Sequence, residues 1–235
     1  MNANKDENII CYEKSLQYWS AIPPTVDGVL GGLGFISDID IDGSAEFLKS
    51  LLTSANPPSL NTALDCGAGI GRITKHLLMP RFQTVDAVEP DEKFINSIKE
   101  FVGEYESRLG TLYKAGLQEF RPVKKYDVIW NQWVLGYLTE KDLVDHFTRC
   151  RESLNENGVI VVKENVTSSG KVEKDYTDAS VTRSLKQYLR IFKLSNLEII
   201  KQCKQAHFPK FIYPVYMFAL IPNGRDTTTI NEISS

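Results

Sequence analysis

The stretch Asp65-Cys66-Gly67-Ala68-Gly69-Ile70-Gly71-Arg72 decides the fold. It continues the apolar run at Ala63–Leu64 and leads into Ile73-Thr74-Lys75-His76-Leu77-Leu78, so a strand hands over to a helix through three alternate glycines. Glycine carries no Cβ, and such a turn lets a ligand press against the backbone at the carboxyl edge of a sheet. The spacing is Gly-x-Gly-x-Gly and not the Gly-x-Gly-x-x-Gly of dinucleotide enzymes. Arg72 follows directly, where a guanidinium can pair with a ligand carboxylate. Taken alone, the octapeptide also fits a tight turn with incidental glycines.

Outward from this turn, strands alternate with helices, the pattern of a parallel, doubly wound sheet. Ala63–Cys66 reads as the first strand and Arg72–Leu78 as its helix, Thr84–Glu89 as the second strand and Asp91–Val102 as its helix, and Leu112–Ala115 as the third strand. Tyr126–Trp130 is the fourth, followed by a helix over Asp142–Leu154, and Val159–Lys163, opened by Asn157-Gly158, is the fifth. A helix over Arg183–Leu194 and strands at Leu197–Gln202 and Tyr216–Ile221 complete the pattern, the last two as an antiparallel pair at the edge. Upstream, a helix over Tyr12–Ser20 is stopped by Ile22-Pro23-Pro24-Thr25, because proline disfavours helix in the residue before it. A glycine-rich stretch from Gly28 to Gly34 suits a lid or a close backbone approach, and Ala45–Leu52 suggests another helix. The expected organisation is an extension over 1–60, one α/β unit over 61–222 and a polar tail over 223–235.

The chain has 235 residues, with 42% apolar and 24% charged, and a formal net charge of −3. That balance leaves no excess of Lys and Arg for gripping phosphates, which argues against nucleic acid as a partner. Cys11, Cys66, Cys150 and Cys203 stand far apart, so neither a zinc site nor a secreted disulfide framework is expected. No apolar run approaches the ~18 residues of a membrane span, and a cytoplasmic or nuclear protein without a metal is the expectation.

Several residues at carboxyl ends of strands can carry chemistry. Glu89 ends the second strand about twenty residues after the glycine turn, where a carboxylate accepts hydrogen bonds from both hydroxyls of a ribose. Asp91 suits the N-cap of the next helix and can also assist at the ribose. The Gln118 amide in Gly116-Leu117-Gln118 can read a base edge. Gln132 and Trp133 face the expected crevice, and an aromatic face there favours a sulfonium, whereas Trp130 sits in an apolar run and reads as core. After the fifth strand, Lys163-Glu164-Asn165 opens a polar loop with Glu173, Asp175 and Asp178, an acidic rim that would attract a cationic acceptor.

Tyr18-Trp19, the stretch from Ile22 to Gly28, Leu30-Gly31-Gly32, Leu64 to Lys75, Gln132-Trp133, Lys163-Glu164-Asn165 and Asp178-Ala179-Ser180-Val181 together resemble the protein N-terminal methyltransferases that act on chains beginning X-Pro-Lys or X-Pro-Arg. The resemblance runs from Tyr18 to Leu220. It implies the class I methyltransferase fold, Rossmann-like, with a mostly parallel seven-stranded sheet and a helical N-terminal extension. It also implies S-adenosylmethionine as cofactor, held at Gly67, Gly69, Arg72, Glu89, Pro90, Asp91, Leu117, Gln118 and Gln132. By the same resemblance Trp19, Leu30, Trp133, Ile212 and Tyr213 wall the substrate channel, Asn165 holds the first peptide unit, and Asp178 lies near the reacting amine; on the acidic rim, Asp175 and Asp178 would attract a basic third residue of the substrate. One position departs. Where the family has a histidine taken to help deprotonate the amine, this chain has Tyr137, a poor proton acceptor near neutrality, which shifts the base role toward Asp178. A methyltransferase for small amines and a non-catalytic S-adenosylmethionine-binding subunit are the competing readings; Tyr137 favours the second.

Overall fold

The computed structural model describes residues 9–225; the first eight residues of the expected extension, and 226–235 of the expected tail, lie outside the described residues. The extension is helical. Helix α1 (Tyr12–Ala21) is followed by a single turn α2 (Val26–Val29) and by α3 (Ser37–Leu52). α3 begins eight residues before the expected Ala45, because Asp40 and Ser44 on its first two turns are buried with hydrogen-bond partners instead of ending the helix. The glycine stretch is not an open loop: Thr25 Oγ1 caps α2 by accepting from Gly28 N, and a short 3-10 turn at Gly34–Ile36 leads into α3.

The remainder follows the alternating pattern. β1 (Thr62–Cys66), β2 (Thr84–Val88), α4 (Glu92–Val102), β3 (Leu109–Tyr113) and β4 (Tyr126–Gln132) precede α5 (Glu140–Glu152), β5 (Leu154–Asn165), a hairpin of β6 (Glu173–Asp175) and β7 (Ser180–Thr182), α6 (Leu185–Leu194), β8 (Leu197–Lys204) and β9 (Val215–Pro222). The main sheet has the order β3-β2-β1-β4-β5-β9-β8, with β9 antiparallel to both neighbours and the rest parallel. The last two strands thus form the expected antiparallel pair at this edge, with β9 inserted between β5 and β8.

Successive residues of a strand point to opposite faces, and the sheet buries both. Ala63, Val128, Trp130 and Val161 pack against α3 and α4 through Leu48, Leu51, Ile95 and Ile98. Leu64, Ile129, Ile160 and Val162 pack against α5 and α6 through Phe147, Tyr188, Ile191 and Phe192.

Four local expectations are corrected. The helix after β1 opens into a π turn at Thr74–Leu78, where Met79 N donates to Thr74 O five residues back. β3 begins three residues earlier than expected, since Thr111 N donates to the buried Asp86 Oδ1 and ties this segment to β2. Asn157-Gly158 lies within β5, in a bulge that opens between Leu154 and Val159 in the pairing with β4. The acidic loop is folded as the β6–β7 hairpin, with Asp175 opposite Ser180.

Candidate active site

The carboxyl ends of β1, β2 and β4, the loop after β3 and the helix α1 enclose a cavity of about 560 Å³. The glycine turn forms one side of it. Gly67 and Gly69 have φ of +72° and +56°, a region that β-carbon-bearing residues avoid, and a Cβ on Gly67 would stand 2.5 Å from the Val134 side chain. Gly67 N and Ala68 N donate to Val88 O, which fixes the turn against the end of β2.

Glu89 follows directly and is 7% exposed. Its Oε2 accepts from Gly69 N and its Oε1 from Asp91 N, both at 2.9 Å. Burial pushes its carboxyl up to about 7, against the pull of those two N–H groups. Asp91 is the N-cap of α4, accepting from Phe94 N at 3.0 Å, and its other oxygen accepts from Ser20 Oγ of α1. It is absent from the cavity wall, whereas Glu89, Pro90, Leu117 and Gln118 belong to it.

Arg72 and Gln132 also line the cavity, but with committed side chains. Arg72 Nη2 donates to Asp40 Oδ2 at 2.7 Å. Gln132 Nε2 donates to both Asp40 oxygens at 2.9 and 2.8 Å, and its Oε1 accepts from Trp130 Nε1 at 3.0 Å. Trp130 is thus core, with its polar atom satisfied by Gln132. Trp133 has φ of +52°, stacks on Phe208 and has a buried Nε1 with no hydrogen-bond partner among the described residues. The glycine cradle, the buried Glu89 acceptor beside it, and this open donor fit a long ligand with a nucleoside at one end, as S-adenosylmethionine is.

The aromatic end of the cavity meets the acidic hairpin. Trp19 of α1 packs edge-on against Tyr137, with ring centroids 6.1 Å apart, and Leu30 lines the same cavity. Tyr137 Oη donates to Asp178 Oδ2 at 2.7 Å, while Ser180 N donates to Asp178 Oδ1. Burial first, and then the Asp178 charge, hold the Tyr137 phenol well above its ordinary value, so it keeps its proton. Asn165, Asp175, Asp178, Ile212 and Tyr213 are not in the cavity wall. Asp178 reaches it through Tyr137, and Asn165 ends β5 opposite Val215. Tyr213 donates to Glu173 Oε2 at 2.7 Å, and Asp175 accepts from Thr177 N within the hairpin turn.

Three residues to which the sequence assigns no role hold this arrangement. Glu164 Oε1 accepts from Val134 N and Leu135 N, both at 2.8 Å, and Arg183 donates to Leu135 O and Leu138 O, so the loop carrying Trp133 and Tyr137 is braced from two sides. Burial raises the Glu164 carboxyl to about 7. The third is Asp40, whose place in an Asp38-x-Asp40-x-Asp42 run resembles a solvated face; only the fold reveals it as 0% exposed.

Residues 6–221 match the family model described as AdoMet dependent proline di-methyltransferase. The Homo sapiens N-terminal Xaa-Pro-Lys N-methyltransferase 1 is 46% identical over 211 residues, covering 89% of this chain and 94% of its own. The Drosophila melanogaster alpha N-terminal protein methyltransferase 1 is 45% identical over 218 residues, covering 92% and 78%. A solved S-adenosylmethionine-dependent methyltransferase of Leishmania major superposes with a TM-score of 0.84 at 38% identity, over 89% of this chain and 82% of that one.

Proposed function

The chain belongs to the family of AdoMet-dependent proline di-methyltransferases, and from that premise we propose that it methylates the free α-amino group of proteins beginning Xaa-Pro-Lys or Xaa-Pro-Arg. The observation that carries the reading is the 2.7 Å bond between Tyr137 and Asp178, which brings a carboxylate from an acidic hairpin to the aromatic end of the cofactor cavity. S-adenosylmethionine supplies an electrophilic methyl group on a sulfonium. The residues of the chain have to bring a neutral amine into line with it, at ~3–3.5 Å.

An α-amino group has a pKa of about 7.7–8.0, against about 10.4 for a lysine side chain, so a single carboxylate or a water relay suffices to take its proton. Asp178 fills that role in this reading. Tyr137, which donates to Asp178, orients the carboxylate and leaves its other oxygen toward Ser180 N; it is a positioning group and not the base. Asn165 at the end of β5 is the clamp for the first peptide unit, and Trp19, Leu30 and Trp133 admit a small first residue and a proline. Asp175, Asp178 and Glu173 supply the negative rim for the third residue, and Ile212 and Tyr213, the latter bonded to Glu173, complete the channel wall.

Incubation with labelled cofactor and two Ser-Pro-Lys peptides, one free and one N-acetylated, tests the reading. Label on the free peptide alone supports it. Label on both peptides, or on neither, overturns it.

A further inference from the structure

Lys163 takes no part in the chemistry above, yet it is 0% exposed on the strand that ends at Asn165. Its Nζ lies 2.6 Å from Asp40 Oδ1 and donates to Asp40 O at 2.9 Å, Ser44 Oγ at 2.8 Å and Gln205 Oε1 at 2.7 Å. Burial pulls the ammonium down and the Asp40 carboxylate pushes it back up. A buried charge is costly unless it is paired, and here the pairing is shared. The other side of Asp40 holds the Arg72 guanidinium and the Gln132 amide, both of which line the cavity, whereas Asp40 and Lys163 do not.

The charges decide what Arg72 can offer a ligand. Arg72 touches Asp40 and also feels the buried carboxyl of Asp65, which accepts from Thr74 Oγ1 and is raised by burial to about 6. Near neutral pH, Arg72 alone against those two carboxylates would leave this end of the cavity negative, a poor place for an anion. Lys163 restores the balance by occupying Asp40 Oδ1.

We propose that Lys163 is a positioning residue for the amino-acid end of the cofactor: by binding Asp40 from behind, it keeps the Arg72 guanidinium electrically available to the ligand carboxylate. The proposal rests on the reading that Arg72 faces that carboxylate. Fully buried groups interact strongly because solvent does not screen them, so a charge that never touches the ligand can still set its affinity.

The test compares two ligands by calorimetry on the full chain. S-adenosylhomocysteine carries the amino-acid end, and 5′-methylthioadenosine has the same nucleoside without it. Lys163→Met is expected to weaken S-adenosylhomocysteine by about tenfold and to leave 5′-methylthioadenosine unchanged. Should that variant not fold, Lys163→Gln, which keeps a polar group toward Ser44 and Gln205 and the Asp40 carboxylate in place but removes the charge, makes the same comparison with the same expected loss. An equal loss for both ligands, or no loss for either, overturns the proposal. Arg72→Ala tests the underlying reading separately: if it leaves the ratio of the two affinities unchanged, Arg72 does not face the carboxylate and the proposal falls with it.

Discussion

The Tyr137 phenol and the Asp178 carboxylate form one donor–acceptor pair, and the burial that raises the phenol makes the tyrosine a holder of its proton. Asp178→Asn keeps the shape of the pair and removes its proton affinity. Single-turnover methylation of a Ser-Pro-Lys peptide is expected to slow by ~10²–10⁴, with cofactor affinity nearly unchanged. Tyr137→Phe removes one orienting hydrogen bond and is expected to cost about tenfold or less. If Tyr137→Phe is the slower of the two, the roles are reversed. Glu89 gives a second prediction at this scale. Its carboxyl is held near 7 by burial, and the ribose hydroxyls need it ionised, so affinity must rise as pH rises through that value. Between about pH 6 and about pH 8, 5′-methylthioadenosine, which has no titrating amino-acid end, is expected to bind about tenfold more tightly, and Glu89→Gln is expected to abolish the slope. A slope that survives in the variant belongs to another group. Glu89 was legible in the sequence because its distance from the glycine turn is set by one strand–helix–strand unit. Asp40 was not, since nothing in the spacing of an acidic run says which carboxylate the tertiary structure will bury between Arg72 and Lys163.

Helix α1 lies across the cavity as a strap fastened at both ends. Tyr12 Oη donates to Asp142 and Ser15 Oγ to Asp178 O near its start. At its end, Lys93 Nζ donates to Ser20 O at 2.9 Å and to Ile22 O, a cation placed where the helix leaves its carbonyls unpaired. Lys93→Ala is expected to cost about 1–2 kcal/mol of stability by chemical denaturation, the site being partly solvated, and to raise the peptide KM by loosening Trp19. An unchanged denaturation midpoint and KM would mean that α1 is held by its packing alone. At this scale the regular elements were readable from apolar periodicity, as with Val159–Val162 and Ile95–Ile98. The elements that escaped are those built by long-range polar contacts: the first turns of α3, fixed by Lys163 and Arg72, and the short β6–β7 hairpin, whose Glu173-Lys174-Asp175 strand carries no apolar residue at all.

The molecule as a whole carries a modest net charge of −3 and concentrates acidic groups at the hairpin, where Asp175 and Asp178 both act on Tyr18. A Ser-Pro-Lys peptide is therefore expected to be methylated faster than Ser-Pro-Glu at low ionic strength, and the preference is expected to shrink as salt is added. Equal rates at low salt would remove the hairpin from substrate recognition. The proposed activity requires the acceptor to be the terminal amine, which a single peptide can decide, because Ser-Pro-Lys carries both an α-amino group and a lysine side chain. After incubation with the cofactor, fragmentation mass spectrometry of the product is expected to place the added methyl groups on the N-terminal serine nitrogen; methyl groups on the lysine nitrogen would contradict it.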